Sequence, residues 1–402
     1  MSSKWIELES QRYMSVAKRT PVVLVRGEGC RVWDENGKAY LDMVGGWAVN
    51  TLGHSSPVIV DALTEQASQL IHTSNQFYTV PQLELADLLI QNSAFDRAFF
   101  SNSGVEANEG AVKLARKYGQ HKRNGAYEVI TTDHSFHGRS LAMLTATGKP
   151  AYKQDYGPLP DGFLADPVPF NDLDAVKKAT TDKTCAVMVE PVQGEGGVNP
   201  ATREYLQGLR DWCDQNNLLL IFDEVQTGVG RLGTLWGYEL YGVEPDVMTL
   251  AKGLGGGVPI GAILCTEKAN IFTYGDHGST FGGNPLATAV ALAVMRETLK
   301  EDLPGHAKKV GNYLQEKLNG LRPDRPYITD VRGHGLLVGI EFDSDIAAEA
   351  LGKLLEEGVL MNAPAGNVLR FMPPLVLTEE EVDEVVGKLA KVLDEIKAKT
   401  PA

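Results

Sequence analysis

The sequence has little that would tie it to a metal, a nucleic acid or a membrane. Its four cysteines, Cys30, Cys185, Cys213 and Cys265, are widely scattered and none falls in a C-x-x-C pair. That spacing argues against a zinc knuckle and against a disulfide framework. Basic residues are outnumbered, 38 Lys and Arg against 52 Asp and Glu, for a net charge of −14. A basic nucleic-acid footprint is therefore not expected; such a balance speaks to solubility, not to fold. No run approaches the ~18 apolar residues of a membrane span. Residues 1–20 lack the apolar core of a signal peptide. The expectation is a soluble cytoplasmic protein with no nucleic-acid or membrane partner. Internal repeats and low-complexity tracts are also missing.

What is present is an ordinary globular chain. Its 402 residues, 43% hydrophobic, suffice for a large core and two domains. Residues 1–20 read as a short helix in which Trp5, Ile6 and Leu8 make a few apolar contacts. Val22–Val25 and Cys30–Val32 alternate apolar with polar residues, and Asn36-Gly37 suits a type I′ hairpin. Ser56–Ile71 and Pro81–Ile90 show helical spacing. Six apolar segments read as strands: Arg97–Ser101, Glu128–Thr132, Thr184–Glu190, Leu218–Phe222, Pro245–Ala251 and Gly261–Cys265. They alternate with helices such as the one starting at Ser103 and Ala201–Asn216. That order predicts an α/β fold with a mostly parallel sheet covered on both faces. After Pro285 the alternation loosens into helices Leu286–Lys300, His306–Leu321 and Glu379–Lys399 and strands Val331–Phe342 and Val368–Val376. These read as a smaller α+β domain.

One lysine stands out. In Pro245-Asp-Val-Met-Thr-Leu-Ala-Lys-Gly-Leu-Gly-Gly-Gly257, Lys252 follows an apolar strand and precedes a glycine-rich loop. Backbone can crowd a ligand there; a solvated lysine beside a turn is the other reading. A catalytic lysine must be desolvated or lie near another cation. One that bonds pyridoxal phosphate through a Schiff base also needs an acid for the pyridine nitrogen, a phosphate pocket and ring cover. Asp223, ending the buried strand, suits the acid but equally suits a turn cap. Ser103-Gly104-Val105 suits an anion at a helix start, or Ser103 is simply an N-cap. Ser279-Thr280 offers hydroxyls in a second glycine-rich loop, or marks only a turn. Phe136 suits ring stacking or a core. Arg139 suits a substrate carboxylate or a surface ion pair. His134 and His137 have no carboxylate or thiolate at metal-ligand spacing nearby, so loop hydrogen bonding is expected and no metal site.

Together these pieces resemble one family over essentially the whole chain: the class III (ω-) aminotransferases of pyridoxal-phosphate-dependent fold type I. The matching motifs are Ser101-Asn-Ser-Gly-Val-Glu-Ala-Asn108, Phe136-His-Gly-Arg139, Val189-Glu-Pro-Val-Gln-Gly-Glu-Gly-Gly197, Phe222-Asp-Glu-Val-Gln226, Ala251-Lys-Gly253 and Gly278-Ser-Thr-Phe-Gly-Gly-Asn-Pro285. The resemblance implies a large, mostly parallel, seven-stranded-type sheet domain over 56–288 that binds pyridoxal 5′-phosphate. It implies a small α+β domain over 289–402, with residues 1–55 packed against it. Lys252 would be the Schiff-base lysine and proton shuttle, and Asp223 the partner of the pyridinium. Val225 and Phe136 would sandwich the ring, and Gln226 would contact its phenolic oxygen. Ser103, Gly104 and Val105 would hold the phosphate, with Thr280 of a neighbouring subunit, so the site would be shared in a homodimer. Val105 stands where the family commonly has Thr; the backbone N–H survives that change.

The Gly45-Gly46 before Trp47 resembles the subgroup acting on N2-acetylornithine, since a glycine at 46 leaves room for an acylated amine. Trp47 is bulkier than the small aliphatic residue expected there. Arg139 and Ser279 would bind the α-carboxylate. Glu195 and Arg370 resemble the family's switch pair, Arg370 being freed from Glu195 to bind the second carboxylate of 2-oxoglutarate. Ping-pong transfer from acetylornithine to 2-oxoglutarate follows. The rivals are a sister enzyme for carrier-linked lysine, ornithine or 4-aminobutyrate, an aminomutase, and a non-catalytic regulatory protein with a degenerate site.

Overall fold

The computed structural model describes residues 3–399. The large sheet has six ladder strands in the order Arg97–Ser101, Gly261–Cys265, Val247–Leu250, Leu219–Asp223, Thr184–Val189 and Glu128–Ile130. Gly261–Cys265 runs antiparallel to both neighbours, and the remaining strands pair in parallel. Beyond Glu128–Ile130, single parallel bridges join Val129 to Phe163 and Thr132 to Val168 without forming a seventh strand among the described residues. Every residue of Thr184–Val189, Leu219–Asp223, Val247–Leu250 and Gly261–Cys265 is buried. Continuous apolar runs in these strands reflect cover on both faces. One face packs on Leu206, Leu209, Trp236 and Met295, the other on Ala107, Ala111, Ala115 and Met143.

Besides the short antiparallel pair Val192–Gln193 with Asn199–Pro200, the remaining strands build two smaller sheets. Leu24–Glu28, Arg31–Asp34, Ala39–Asp42 and Val359–Leu360 form one; Ile328–His334, Leu337–Phe342 and Val368–Phe371 form the other. Their shared core joins Leu41 and Met43 to Ile340, Phe371 and Leu389. Arg231, buried in the loop after Leu219–Asp223, donates from Nη1 to the carbonyls of Leu336 at 2.9 Å and Pro373 at 2.6 Å. That bond fastens the segment carrying Arg370 to the large sheet.

Several local expectations change. The turn at Asn36-Gly37 is not type I′. Only Gly37 has positive φ, at 82°, and Asp34 Oδ1 accepts from the N–H groups of Asn36 and Lys38 at 2.9 Å each. A three-residue loop closed by a left-handed glycine is the alternative hairpin solution. Val331–Phe342 is not one strand but a hairpin arm pair, turning at Gly335 with φ 51°. Val368–Val376 stops as a strand at Phe371, before Pro373-Pro374, which lack N–H donors. Trp5, Ile6 and Leu8 lie in the helix Lys4–Arg12, which buries none of its residues. Helices Leu173–Ala179 and Ile346–Glu356 add to those that the sequence pattern predicts. Among the described residues no helix is long and apolar enough to cross a membrane.

Candidate active site

The carboxyl ends of the parallel strands open on one cavity of about 440 Å³. Open α/β sheets bind ligands at that edge, and the volume suits a small molecule. Lys252, Asp223, Ser103, Gly104, Val105, Phe136, Arg139, Val225, Gln226 and Glu195 all line it.

Lys252 does not simply end a strand. The strand stops at Leu250, and Lys252, with φ 41°, starts the short 3₁₀ turn Lys252–Leu254. A left-handed lysine is held there by its surroundings, including the Thr51 hydroxyl, which donates to the Gly253 carbonyl at 2.9 Å. Burial depresses the Lys252 pKa below the ordinary lysine value. Arg370 pushes the same way, while Glu195, Asp223 and Glu190 resist. The outcome is an amine whose neutral form is made easier.

Asp223 satisfies both of its sequence readings at once. Oδ1 accepts from the Val225 N–H at 3.0 Å, the turn-capping bond. Oδ2 accepts from Asn108 Nδ2 at 2.7 Å and lies 2.8 Å from His137 Nδ1. Asn108 also donates from Nδ2 to the His137 carbonyl at 2.8 Å and accepts from the Thr249 hydroxyl at 2.6 Å. One amide thus ties a helix, a loop and a strand around the carboxylate. Burial works against a charged His137, but Asp223, and then Glu190, hold its pKa above the usual histidine value. Glu190 is pushed up to about 8, by burial first and by the Asp223 charge; His137 and the Phe136 N–H, 3.0 Å from Oε2, oppose this. So His137 leaves the expected loop hydrogen bonding for a carboxylate partner. Sequence reasoning assigned no site role to His137, Asn108 or Glu190. A signal existed: Asn108 lies one helical turn beyond Gly104, and Glu190 follows its apolar strand as Asp223 ends its neighbour.

At the helix Gly104–Lys122, Ser103 is the N-cap that the sequence also allowed, its hydroxyl accepting from the Glu106 N–H at 3.3 Å. The first N–H groups of any helix lack intrahelical acceptors, so Gly104 and Val105 present donors and the positive dipole end to the cavity. A Cβ on Gly104 would come within 2.7 Å of Val225 Cγ1, so only glycine lets Val225 lean across the helix start.

Phe136 meets Tyr152 edge-on at 6.3 Å. The Arg139 guanidinium lies 4.3 Å from the Tyr152 ring centroid and 5.7 Å from that of Phe136. Among the described residues it makes no ion pair, so the surface-salt-bridge reading does not hold. Arg370 is fully buried, with Nη2 2.7 Å from Glu195 Oε1, Nη1 3.5 Å from Gln226 Oε1 and its guanidinium 5.5 Å from the Trp47 ring. Burial pushes Glu195 up, but the charge and N–H of Arg370 bring it below the ordinary carboxylate range. Trp47 sits in a run of four left-handed residues, Gly45 to Ala48, with φ of 54°, 64°, 67° and 62°. For the two that are not glycine this costs about 1–2 kcal/mol each, strain of the kind stored at functional sites.

Two expected residues are not brought to this cavity by their own chain. Thr280 is exposed, and with Ser279 it lines a separate depression beside Ser101, Glu106 and His277. Ser279 Oγ accepts there from Asn102 Nδ2 at 3.0 Å and from the Gly282 N–H at 2.9 Å, as a turn residue does.

The residues present fit pyridoxal phosphate. Gln226 Nε2 is buried without an acceptor, the helix start offers unpaired N–H groups, Asp223 offers a fixed carboxylate and Lys252 an amine. An orphaned buried donor is costly unless a ligand satisfies it.

Comparison with known proteins points the same way. The aminotransferase class-III family matches residues 13–393. The chain is 51% identical to an acetylornithine aminotransferase of Caldanaerobacter subterraneus subsp. tengcongensis, covering 98% of this chain and 100% of that one. It is 50% identical to that of Methanocaldococcus jannaschii, covering 98% of each. Among solved structures, the ornithine aminotransferase of Toxoplasma gondii ME49 superposes with a TM-score of 0.95 at 33% identity, over 100% of this chain and 96% of that one. The acetylornithine aminotransferase of Elizabethkingia anophelis gives 0.88 at 38% identity, over 98% and 99%.

Proposed function

The chain belongs to the class-III aminotransferases, and within that family we propose that it moves the terminal amino group of N2-acetylornithine to 2-oxoglutarate. The products are N-acetylglutamate semialdehyde and glutamate, a step of arginine biosynthesis. Relatives named acetylornithine aminotransferase, 46% to 51% identical over nearly the whole chain, support the substrate. The observation that carries the chemistry is the convergence of Lys252, Asp223 and the Gly104 helix start on one cavity, bordered by the Glu195–Arg370 ion pair.

Pyridoxal phosphate, when bound, supplies the electron sink that makes a C–H bond beside nitrogen breakable. The chain's own residues do the rest. Gly104 and Val105 hold the phosphate through backbone N–H groups beside Ser103, and Thr280 of a second copy of the chain completes that site. Asp223, held by Asn108 and His137, keeps the ring nitrogen protonated. Phe136 and Val225 would cover the ring, and the unpaired Gln226 Nε2 would donate a hydrogen bond to the cofactor. Lys252 anchors the cofactor and then, with a lowered pKa, takes and returns the proton at the substrate carbon. Arg139 orients the α-carboxylate, and Ser279, which like Thr280 does not reach this cavity in its own chain, joins it from the second copy. Arg370 stays neutralised by Glu195 while an amine donor is bound and takes the second carboxylate of the oxo acid.

Exposed Phe77, Tyr78 and Phe281 support the homodimer in which sites are shared. The joint core of Leu41 with Phe371 and Leu389 supports residues 1–55 packing with a small domain at 289–402, beside a large domain at 56–288. Steady-state kinetics with acetylornithine, free ornithine, 4-aminobutyrate and a carrier-linked lysine test the reading. The highest kcat/KM belongs to acetylornithine; a higher value on free ornithine overturns the choice.

A further inference from the structure

One cation beside the Glu195–Arg370 pair has no carboxylate of its own. Lys149 is half-buried and donates its ammonium to the backbone carbonyl of Glu195, with the Tyr152 ring centroid 5.5 Å from the same nitrogen. Among the described residues it forms no ion pair. Burial depresses its pKa; Arg370 and Arg139 add to that, while the charges of Glu195 and Glu190 resist. Glu195 therefore stands between two cations, its carboxylate on Arg370 and its carbonyl on Lys149.

We propose that Lys149 is the second partner of Glu195. When a dicarboxylate occupies Arg370, the Glu195 carboxylate turns to Lys149. The inference rests on reading Arg370 as the carboxylate site. Arg370 is fully buried with Glu195 as its ion-pair partner, and the Glu195 side chain is mostly buried. A displaced Glu195 must find a new cation, take up a proton, or remain as a costly unpaired charge. Lys252, the other nearby cation, is taken up by the cofactor and by the proton transfer. Lys149 already touches the main chain of Glu195, so a change of side-chain rotamer moves the charge without a backbone shift. An ammonium with three rotatable donors can keep the carbonyl while it takes the carboxylate. The site thereby accepts a donor without a second carboxylate and an acceptor with one. Lys149 is thus a positioning residue acting through Glu195, not a group that touches substrate.

The test is calorimetric binding of glutarate, a dicarboxylate without the oxo group, to the cofactor-loaded enzyme. Lys149→Gln keeps a donor for the carbonyl but removes the charge. It weakens glutarate by about tenfold, within the usual range for coupled binding, and Lys149→Arg restores most of the affinity. The KM for 2-oxoglutarate rises similarly, and that for the amine donor does not. In a Glu195→Gln background there is no charge to move, and Lys149→Gln has no further effect. An unchanged glutarate affinity in Lys149→Gln overturns the proposal, as does an equal loss in the Glu195→Gln background. Arg370→Leu separates the two readings. If it leaves glutarate binding intact, the Arg370 assignment fails and this inference with it; if it weakens binding while Lys149→Gln does not, only the inference fails.

Discussion

His137 Nδ1 lies 2.8 Å from Asp223 Oδ2, and neither side chain is appreciably exposed. Losing a buried partner leaves the other group unsatisfied, at about 1–3 kcal/mol. His137→Ala therefore weakens pyridoxal phosphate binding by about thirtyfold, corresponding to the middle of that range. Equilibrium dialysis of the loaded enzyme measures it. Wild-type affinity in the variant would show that the histidine does not serve Asp223.

Lys252→Ala removes the amine at the centre of the cavity. The cofactor still binds through the phosphate and Asp223 contacts but gives up the visible absorbance of its lysine-bound form. Turnover falls by at least about 10²–10⁴-fold, the usual worth of a positioned acid–base group. Near-normal turnover would remove the central role of this residue.

Glu190, pushed up to about 8 mainly by burial, sets a pH dependence of stability. Its folded pKa exceeds its unfolded one, so the folded chain binds more protons between about pH 4.5 and 8. Stability from this group is present at the acid end and lost as pH rises through 8. Glu190→Gln keeps an acceptor for the Phe136 N–H and lacks the titration. Melting curves of the two proteins coincide most closely near pH 5, and the variant becomes the more stable above pH 8. A gap that does not vary with pH contradicts the assignment.

Gly46, at φ 64°, is the position at which the family resemblance expects space for an acylated amine. Gly46→Tyr lowers the ratio of kcat/KM on acetylornithine to that on ornithine. Gly46→Ala bears the same left-handed backbone cost of about 1–2 kcal/mol without the ring. If the alanine variant shifts the ratio as far as the tyrosine variant, backbone strain and not pocket volume sets the preference.

Much of the large sheet was legible because its buried strands are continuous apolar runs bounded by turn residues. Arg97–Ser101 and Gly261–Cys265 came out with the bounds the structure has. The hairpin at Gly335 was not, because two apolar arms around a short glycine turn look like one long strand. The antiparallel direction of Gly261–Cys265 was equally hidden: residue pattern records burial, and direction depends on which neighbour supplies the hydrogen bonds.

By itself, the sequence named the candidate residues, Lys252, Asp223 and Phe136 from residue type and local spacing and Arg370 through the family resemblance, since both are written along the chain. Only the tertiary structure decided which groups serve them. Asn108 and His137 reach Asp223 across separations of 115 and 86 residues, and Lys149 reaches Glu195 across 46. Such contacts are set by how the sheet and its covering helices pack, and a one-dimensional pattern holds no trace of that distance.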